Sequence, residues 1–404
     1  MKNLKFFFQF VWDKPWILVL LFTGLCFAIR IYSVGQIKAE IFDEVYFVNF
    51  AKNYLHGVSF FDIHPPLGKL IIASGIKIFG DSTFGWRIMS VIFGTLLIPL
   101  VYLTGKELAG KTVGIFAMII VGLDGMVLVY SRLGLMDIFL TFFLVASFFT
   151  FIKFSNNQKF IYLVLAGTFL GLASSVKYIG FLLWILFLVI GLIKKMPFKK
   201  FAYDYTLTLI VLPLAIYLSL FLFNFHGADF LKQVYEWHRQ SLNYNLHLDA
   251  THPYGSRWWS WFLLLRPIWL YFQDVNGKYI GVDGLGNPLA WWSILAVLPL
   301  LVWGCIKKQK NKIILLAAFL VFLLPWVLAK RVLFIYHAIP SFLFLSLSIA
   351  IFLEELTQIK YGKQLVGLYF AVLFSFFIYF LPIWMGWPIN HASFYHRMWL
   401  PGWI

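Results

Sequence analysis

An all-α polytopic membrane protein is what the sequence predicts, and two observations predict it. Hydrophobic residues make up 61% of the 404 residues and charged residues only 12%, about half the ~25% charged share of a soluble domain. The apolar residues also come in unbroken runs of about 17 to 25, the length an α-helix needs to cross a hydrocarbon core, rather than in the short alternating segments of a barrel.

In chain order the runs predict about eleven spans, near residues 15–33, 86–104, 112–130, 135–152, 160–176, 178–193, 203–224, 288–306, 313–329, 332–353 and 364–384. The first follows Lys2, Lys5 and Lys14. That basic start and apolar stretch resemble a signal peptide, but no small-residue cleavage pattern follows, so it reads as a retained anchor. Spans two and three are separated by Lys106 and Lys111, four and five by Lys153 and Lys159, and six and seven by Lys194, Lys195, Lys199 and Lys200. Lys307, Lys308, Lys310 and Lys312 lie between eight and nine, and Lys360 and Lys363 between ten and eleven. Short loops rich in Lys mark the cytoplasmic side. The N-terminus is therefore expected inside, and the C-terminus outside.

The opposite side receives most of the acids in two long, aromatic-rich excursions, residues 34–85 and 225–287. No linker divides the chain, so residues 1–404 read as one membrane-embedded domain with these two external loops. The net charge of +16 is accounted for by cations beside the spans and by anionic headgroups, and no nucleic-acid module is visible. Cys26 falls inside the first span and Cys305 near the cytoplasmic end of the eighth, so no disulfide between them is expected.

In the second excursion, "DFLKQVYEWHRQSLNYN" sets Phe230, Val234, Trp237 and Ser241 on one helical face against Lys232, Glu236 and Arg239, the pattern of an interfacial helix. Further on, Asn276-Gly277 separates two β-prone stretches, the signature of a type I′ hairpin. The first excursion carries more chemistry. Asp43 and Glu44 precede "VYFVNFAKNYL", where they read either as an N-cap and first-turn acid or as working carboxylates. "DIHPPLGKL" then sets Asp62, His64 and Lys69 around a rigid Pro65-Pro66 step. Arg87 opens the second span, "YSRLGLMD" places Arg132 and Asp137 at the next external turn, and "KRVLFIYH" brings Lys330, Arg331, Tyr336 and His337 to the outer start of the tenth span.

Acids and cations thus converge on the outer rim. An outward carboxylate there can take a proton from an acceptor hydroxyl while fixed cations hold a phosphate leaving group. A substrate whose phosphate hangs from a polyprenol at headgroup depth gives a physical motive for so many spans. Other readings stand beside this one. Arg132 and Lys330 can snorkel to headgroups. His64 and His337 suit hydrogen-bonded structural histidines, Asp62 can brace the Pro-Pro loop, and Trp258, Trp259 and Trp261 suit an interface belt.

Taken together, "FDEVYF", "FFDIHPPLGKL", "WRIMSVIFG", "SRLGLMDIFL", "SRWWSWFLLLRPIWLYF", "RVLFIYHAIP" and "FYHRMWLPGWI" make the chain resemble the protein O-mannosyltransferases. That resemblance covers most of the chain and implies a GT-C membrane glycosyltransferase fold. It also implies a polyprenyl or dolichyl phosphate mannose donor and a polypeptide acceptor. It casts Asp43 as the base at the acceptor hydroxyl with Glu44 beside it, and places Arg87 and Arg331 near the lipid phosphate, with Arg132 and Lys69 as further candidates. Asp137 matches the family's second acidic position, and His64, Lys69, Tyr336 and His337 fall in its motifs. No metal is assigned, and dependence on a divalent cation stays open. The 225–287 loop is too short for the β-trefoil domain of eukaryotic relatives, which implies the prokaryotic form in a plasma membrane.

The expected function is transfer of mannose, with inversion, to Ser or Thr hydroxyls of secreted or membrane proteins on the extracytoplasmic side. A related transferase with a lipid or glycan acceptor shares nearly all of this physics. A polyprenyl-phosphate transporter would instead need ionisable residues near mid-span and broken helices in matching halves.

Overall fold

The computed structural model describes residues 14–197 and 202–404. Lys2, Lys5, Lys199 and Lys200, which contribute to the expected topology, lie outside the described residues. The first described helix, α1 (Pro15–Ile31), leads into two short helices, α2 (Glu44–His56) and α3 (Leu67–Phe79). Then come α4 (Thr83–Ala109), α5 (Lys111–Gly122), α6 (Gly125–Tyr130), α7 (Asp137–Asn157), α8 (Phe160–Val176), α9 (Tyr178–Lys194), α10 (Ala202–Phe223) and α11 (Phe230–His247). A hairpin of β1 (Trp269–Val275) and β2 (Lys278–Asp283) precedes α12 (Pro288–Ile306), α13 (Lys310–Val327), α14 (Ile335–Leu356) and α15 (Gly362–Met385). The described chain closes with β3 (Ile389–Asn390) and α16 (His391–Tyr395).

Seven helices, α4, α7, α10, α12, α13, α14 and α15, are long and apolar enough to cross a membrane. The shorter apolar helices α1, α5, α8 and α9 coincide with the remaining expected spans. Burial separates inner from outer members: 94% of the most apolar window of α14 is buried and 78% of that of α7, against 28% for α10 and for α15. The core therefore forms around α14, which packs on α5 and α13, and around α7, which packs on α4 and α8. The more exposed helices present their apolar faces to lipid, a solvent as apolar as their own side chains. Close approach of α4 and α5 depends on small residues. A Cβ on Gly114 would lie 2.4 Å from the Tyr102 carbonyl oxygen.

The run expected as a single span over 112–130 is broken at Asp124. Its Oδ1 accepts from the Val127 N–H at 2.9 Å and restarts the chain as α6. Its Oδ2 accepts from Asn287 N at 2.9 Å and Trp291 Nε1 at 2.8 Å. An acid inside an apolar run is thereby satisfied by a helix end and the start of α12, as burial in a bilayer demands.

The expected hairpin is present. Asn276 and Gly277 have φ of 52° and 71°, the double positive φ of a type I′ turn, and Val275 pairs with Lys278 across it. Beyond the sequence reading, β3 adds to the edge, with Tyr279 opposite Ile389, so an otherwise all-α molecule carries a small three-stranded sheet. The last residues are pinned to the same excursion: Trp269 Nε1 donates to Trp403 O at 2.8 Å and Trp403 Nε1 to Leu264 O at 2.6 Å. Helix α11 buries Val234, Trp237 and Ser241 while Leu231, Tyr235, Leu242 and Leu246 stay exposed, as suits a helix lying in the interface.

Candidate active site

The site starts from a buried ion pair. Glu44, the first residue of α2, is fully buried and meets Arg87 of α4 in a fork, with Nε to Oε1 at 2.8 Å and Nη2 to Oε2 at 2.7 Å. The same carboxylate accepts from the N–H groups of Ile41 at 2.8 Å and Gly134 at 2.6 Å. Arg87 turns its remaining N–H groups to the carbonyls of Val34 (3.1 Å), Ile37 (2.9 Å) and Ala39 (2.9 Å). All five guanidinium donors are then engaged within the protein. Arg87 is also only 1% exposed. The pair ties the loop before α2, the start of α2 and the loop before α7 into one unit.

That unit presents Asp43. It occupies the N-cap position of α2 but makes no capping hydrogen bond, so the structural role open to an N-cap acid is not used. Among the described residues its half-buried carboxylate has no hydrogen-bond or ion-pair partner. Phe42, just before it, has a φ of 52°, a left-handed conformation that is costly for a bulky residue and persists only where surrounding structure enforces it. The enforcing contacts are edge-on rings of His252 (6.4 Å), Phe334 (5.8 Å) and Tyr336 (6.1 Å). Burial pushes the Asp43 carboxyl up to about 6, with Lys177 and Arg331 pulling down and Asp137 and Asp62 adding to the rise.

Those four charges come from four places in the chain. Asp137, in the first turn of α7, pairs with Lys177 at 2.7 Å, and the Lys177 ammonium lies 5.6 Å from the Tyr336 ring centre. Lys177 sits between α8 and α9 and was not singled out in the sequence. Its signal was a lone cation in the one-residue gap between two apolar runs on the acidic side. Arg331, before α14, donates from Nη1 to Asn245 Oδ1 of α11, and its buried Nε has no partner among the described residues. Of the cations considered from the sequence near the rim, Arg331 thus keeps an unengaged buried donor.

Lys69 is fully buried against Asp62 and donates to the His64 carbonyl at 2.7 Å, clamping the Pro-Pro loop. His64 faces the cluster, where burial, then Lys177, Lys69 and Arg331, hold its imidazole well below the usual histidine range and keep it neutral. Arg132 Nη1 donates to the carbonyls of Ile29 (3.1 Å), Arg30 (2.7 Å) and Tyr32 (2.7 Å), closing the end of α1. Lys330 is exposed. His337 holds Phe334 O at 2.9 Å through Nδ1 and stacks on Trp261 and Tyr336. Tyr336 also lies 5.5 Å, ring to ring, from Tyr130, a buried residue that the sequence reading passed over. Among the described residues no group of three or more His, Cys, Asp or Glu is placed to hold a metal ion.

The arrangement joins a half-buried, unpartnered carboxylate to an unengaged arginine donor and a paired lysine. It can accept a proton and steady an anion side by side.

The chain as a whole is similar to known proteins. Residues 20–82 and 73–228 match the family model "Dolichyl-phosphate-mannose-protein mannosyltransferase", and residues 230–403 match "C-terminal four TMM region of protein-O-mannosyltransferase". The chain is 28% identical to the polyprenol-phosphate-mannose--protein mannosyltransferase of Corynebacterium glutamicum, over 84% of this chain and 81% of that protein. It is 26% identical to the protein of the same name from Mycobacterium tuberculosis, over 96% and 92%. Among solved structures it is similar to the S. cerevisiae protein O-mannosyltransferase Pmt1-Pmt2 complex bound to the sugar donor, with a TM-score of 0.84, 17% identity and 97% and 93% of the two chains covered. The match to ArnT from Cupriavidus metallidurans has a TM-score of 0.61 at 14% identity, covering 88% and 62%. These likenesses identify the architecture as GT-C. With both family models matched along nearly its whole length, this chain belongs to the protein O-mannosyltransferase family.

Proposed function

We propose that the chain transfers mannose from a polyprenyl phosphate mannose to Ser or Thr hydroxyls of polypeptides, with inversion, at the outer face of a prokaryotic plasma membrane. The single observation that carries this reading is Asp43, an acid without a hydrogen-bond or ion-pair partner among the described residues, whose carboxyl feels the charges of Lys177 and Arg331. Asp43 accepts the hydroxyl proton, the oxygen attacks the anomeric carbon, and the C–O bond to the phosphate breaks. The phosphate leaves with the electron pair and is steadied by Arg331 and Lys177. A carboxyl at about 6 is mostly ionised at neutral pH and still basic enough to take the proton.

Glu44, Arg87, Lys69 and Arg132 position the loops around this centre and do not touch the phosphate in this reading, because Glu44, Arg87 and Lys69 bond inside the protein and Arg132 turns its Nη1 to the end of α1. Asp137 holds Lys177. His64, Tyr336 and His337 wall the cleft. The same reading takes α1, α5, α8 and α9 as crossing helices, eleven crossings with the N-terminus in the cytoplasm and the C-terminus outside. The test is purified protein in nanodiscs with polyprenyl phosphate mannose and a Ser/Thr peptide. Mannosylated peptide is expected, whereas mannose passed only to lipid or glycan acceptors would overturn the choice of acceptor.

A further inference from the structure

Behind the catalytic carboxylate lie polar atoms that the mechanism above does not use. Asp283, the last residue of β2, is fully buried, and neither of its carboxylate oxygens has a partner among the described residues. The Tyr130 hydroxyl is likewise fully buried and unpartnered. The two belong together: a Cβ built on Gly284, next to Asp283, would lie 3.7 Å from the Tyr130 ring. The Tyr130 ring lies 5.5 Å from that of Tyr336, which in turn packs 6.1 Å from Phe42, the residue before Asp43. Buried polar groups in folded proteins are almost always hydrogen-bonded, so these three atoms on neighbouring segments call for a partner from outside the chain.

The chemistry of that partner follows from charge. Burial pushes the Asp283 carboxyl well above the usual carboxylate range and so keeps it neutral, against a weaker pull from Arg266, whose N–H groups are committed to the carbonyls of Pro253, Gly402 and Ile404. A neutral carboxyl and a neutral phenol, with no cation acting on Tyr130 among the described residues, offer an anion no charge partner there. A neutral polyol fits, since each of its hydroxyls can donate to and accept from a carboxyl and a phenol. The phosphate side, with Arg331 and Lys177, and this polyol side share Asp43, which acts on groups in both.

We propose that Tyr130 and Asp283 form the sugar subsite, hydrogen-bonding the ring hydroxyls of the donor's hexose and setting its anomeric carbon beside Asp43. This rests on the reading of the chain as a transferase of lipid-linked sugar. Neither residue takes part in proton transfer; both position and select the sugar.

The experiment compares wild type, Tyr130→Phe and Asp283→Asn in nanodiscs by dissociation constants for polyprenyl phosphate mannose, polyprenyl phosphate glucose and sugar-free polyprenyl phosphate, with melting temperature in parallel. Both variants are expected to bind the mannosyl lipid roughly ten- to a hundredfold more weakly, as when a buried partner is left unpaired, with the bare lipid phosphate bound within about twofold of wild type. Equal weakening on all three ligands, or no change on any, overturns the subsite. A wild-type preference for the glucosyl lipid that Tyr130→Phe removes would overturn mannose as the sugar while upholding the subsite. A wild type that binds no hexosyl lipid better than bare lipid phosphate overturns it. Tyr130→Phe removes one oxygen without changing shape, so the test stands even where Asp283→Asn folds poorly.

Discussion

Residue by residue, adjacent acids have opposite fates. Side chains at successive helix positions point about 100° apart, and here Glu44 turns inward onto Arg87 while Asp43 stays unpartnered. Asp43→Asn should cut transfer by roughly 10² to 10⁴-fold, the span of a lost general base, and Glu44→Gln should act chiefly by unfolding. Transfer and melting temperature measured side by side on both variants check this. The two arginines separate in the same way. Arg87→Ala strands a buried carboxylate and should cost about 3 to 5 kcal/mol of stability, whereas Arg331→Ala should leave folding intact. Losing Arg331 should cost about 2 to 4 kcal/mol of transition-state stabilisation. Wild-type turnover by Arg331→Ala at limiting donor would remove that cation from the site.

The Asp43 carboxyl also dictates a pH dependence. Transfer should rise with pH through about 6 and level off above it, because the proposed mechanism uses the ionised form as the base. Stability runs the other way. A carboxyl raised in the folded state favours folding while protonated, a contribution complete below its unfolded value near 4 and lost as pH rises through about 6. Asp43→Asn should therefore melt higher than wild type above that pH and alike at the lowest pH the fold tolerates. Melting curves across pH in one detergent measure it.

Among elements, the loop before α7 is the least replaceable connection, because it carries Gly134, which donates to Glu44, and leads into Asp137. Its path depends on Gly94 of α4, where an added Cβ would fall 2.0 Å from Ser131 Oγ, 2.3 Å from its Cβ and 3.2 Å from its Cα. Rotating the serine hydroxyl cannot relieve contacts with Cβ and backbone. Gly94→Ala should thus destabilise by about 1 to 3 kcal/mol, the cost of overpacking, and lower transfer more than donor binding. A variant with wild-type melting and transfer would show that α4 and this loop can part freely. The interruption at Asp124 follows the same logic, since one acid ends α5, caps α6 and anchors the start of α12.

At the scale of the whole molecule, the second excursion, the sheet and the end of the chain are tied together through β3 on β2 and Trp403 on the β1 end. The groups assigned to the chemistry are expected on the outer side, so orientation in the membrane decides where substrates must arrive. A cysteine introduced at position 280, in a background with Cys305 replaced by serine, should react with an impermeant thiol reagent from outside intact cells. One introduced at 308 should not. The reverse pattern would invert the topology and with it the side on which polypeptides are modified.

The sequence by itself determined the class and its spacing. Hydropathy runs located the apolar helices, and the Asn276-Gly277 pair placed a hairpin turn, since each of these depends on residues close together in the chain; the lysines in short loops set an expected orientation that the labelling experiment tests. Motif resemblance likewise named the residues at the rim. The tertiary structure alone decided which charges are engaged. Glu44 meets Arg87 across 43 positions, Asp137 meets Lys177 across 40, and Arg132 reaches Tyr32 across 100, separations at which no local pattern indicates a partner. That is why Arg87, Arg132 and Lys69, phosphate-ligand candidates in the sequence, are given bracing roles in the proposed mechanism, where the fold ties them to internal partners. Lys177 and Tyr130 emerged only when the helices carrying them were brought beside Asp43. A charge is reactive when its neighbours leave it unsatisfied, and neighbours are fixed by packing.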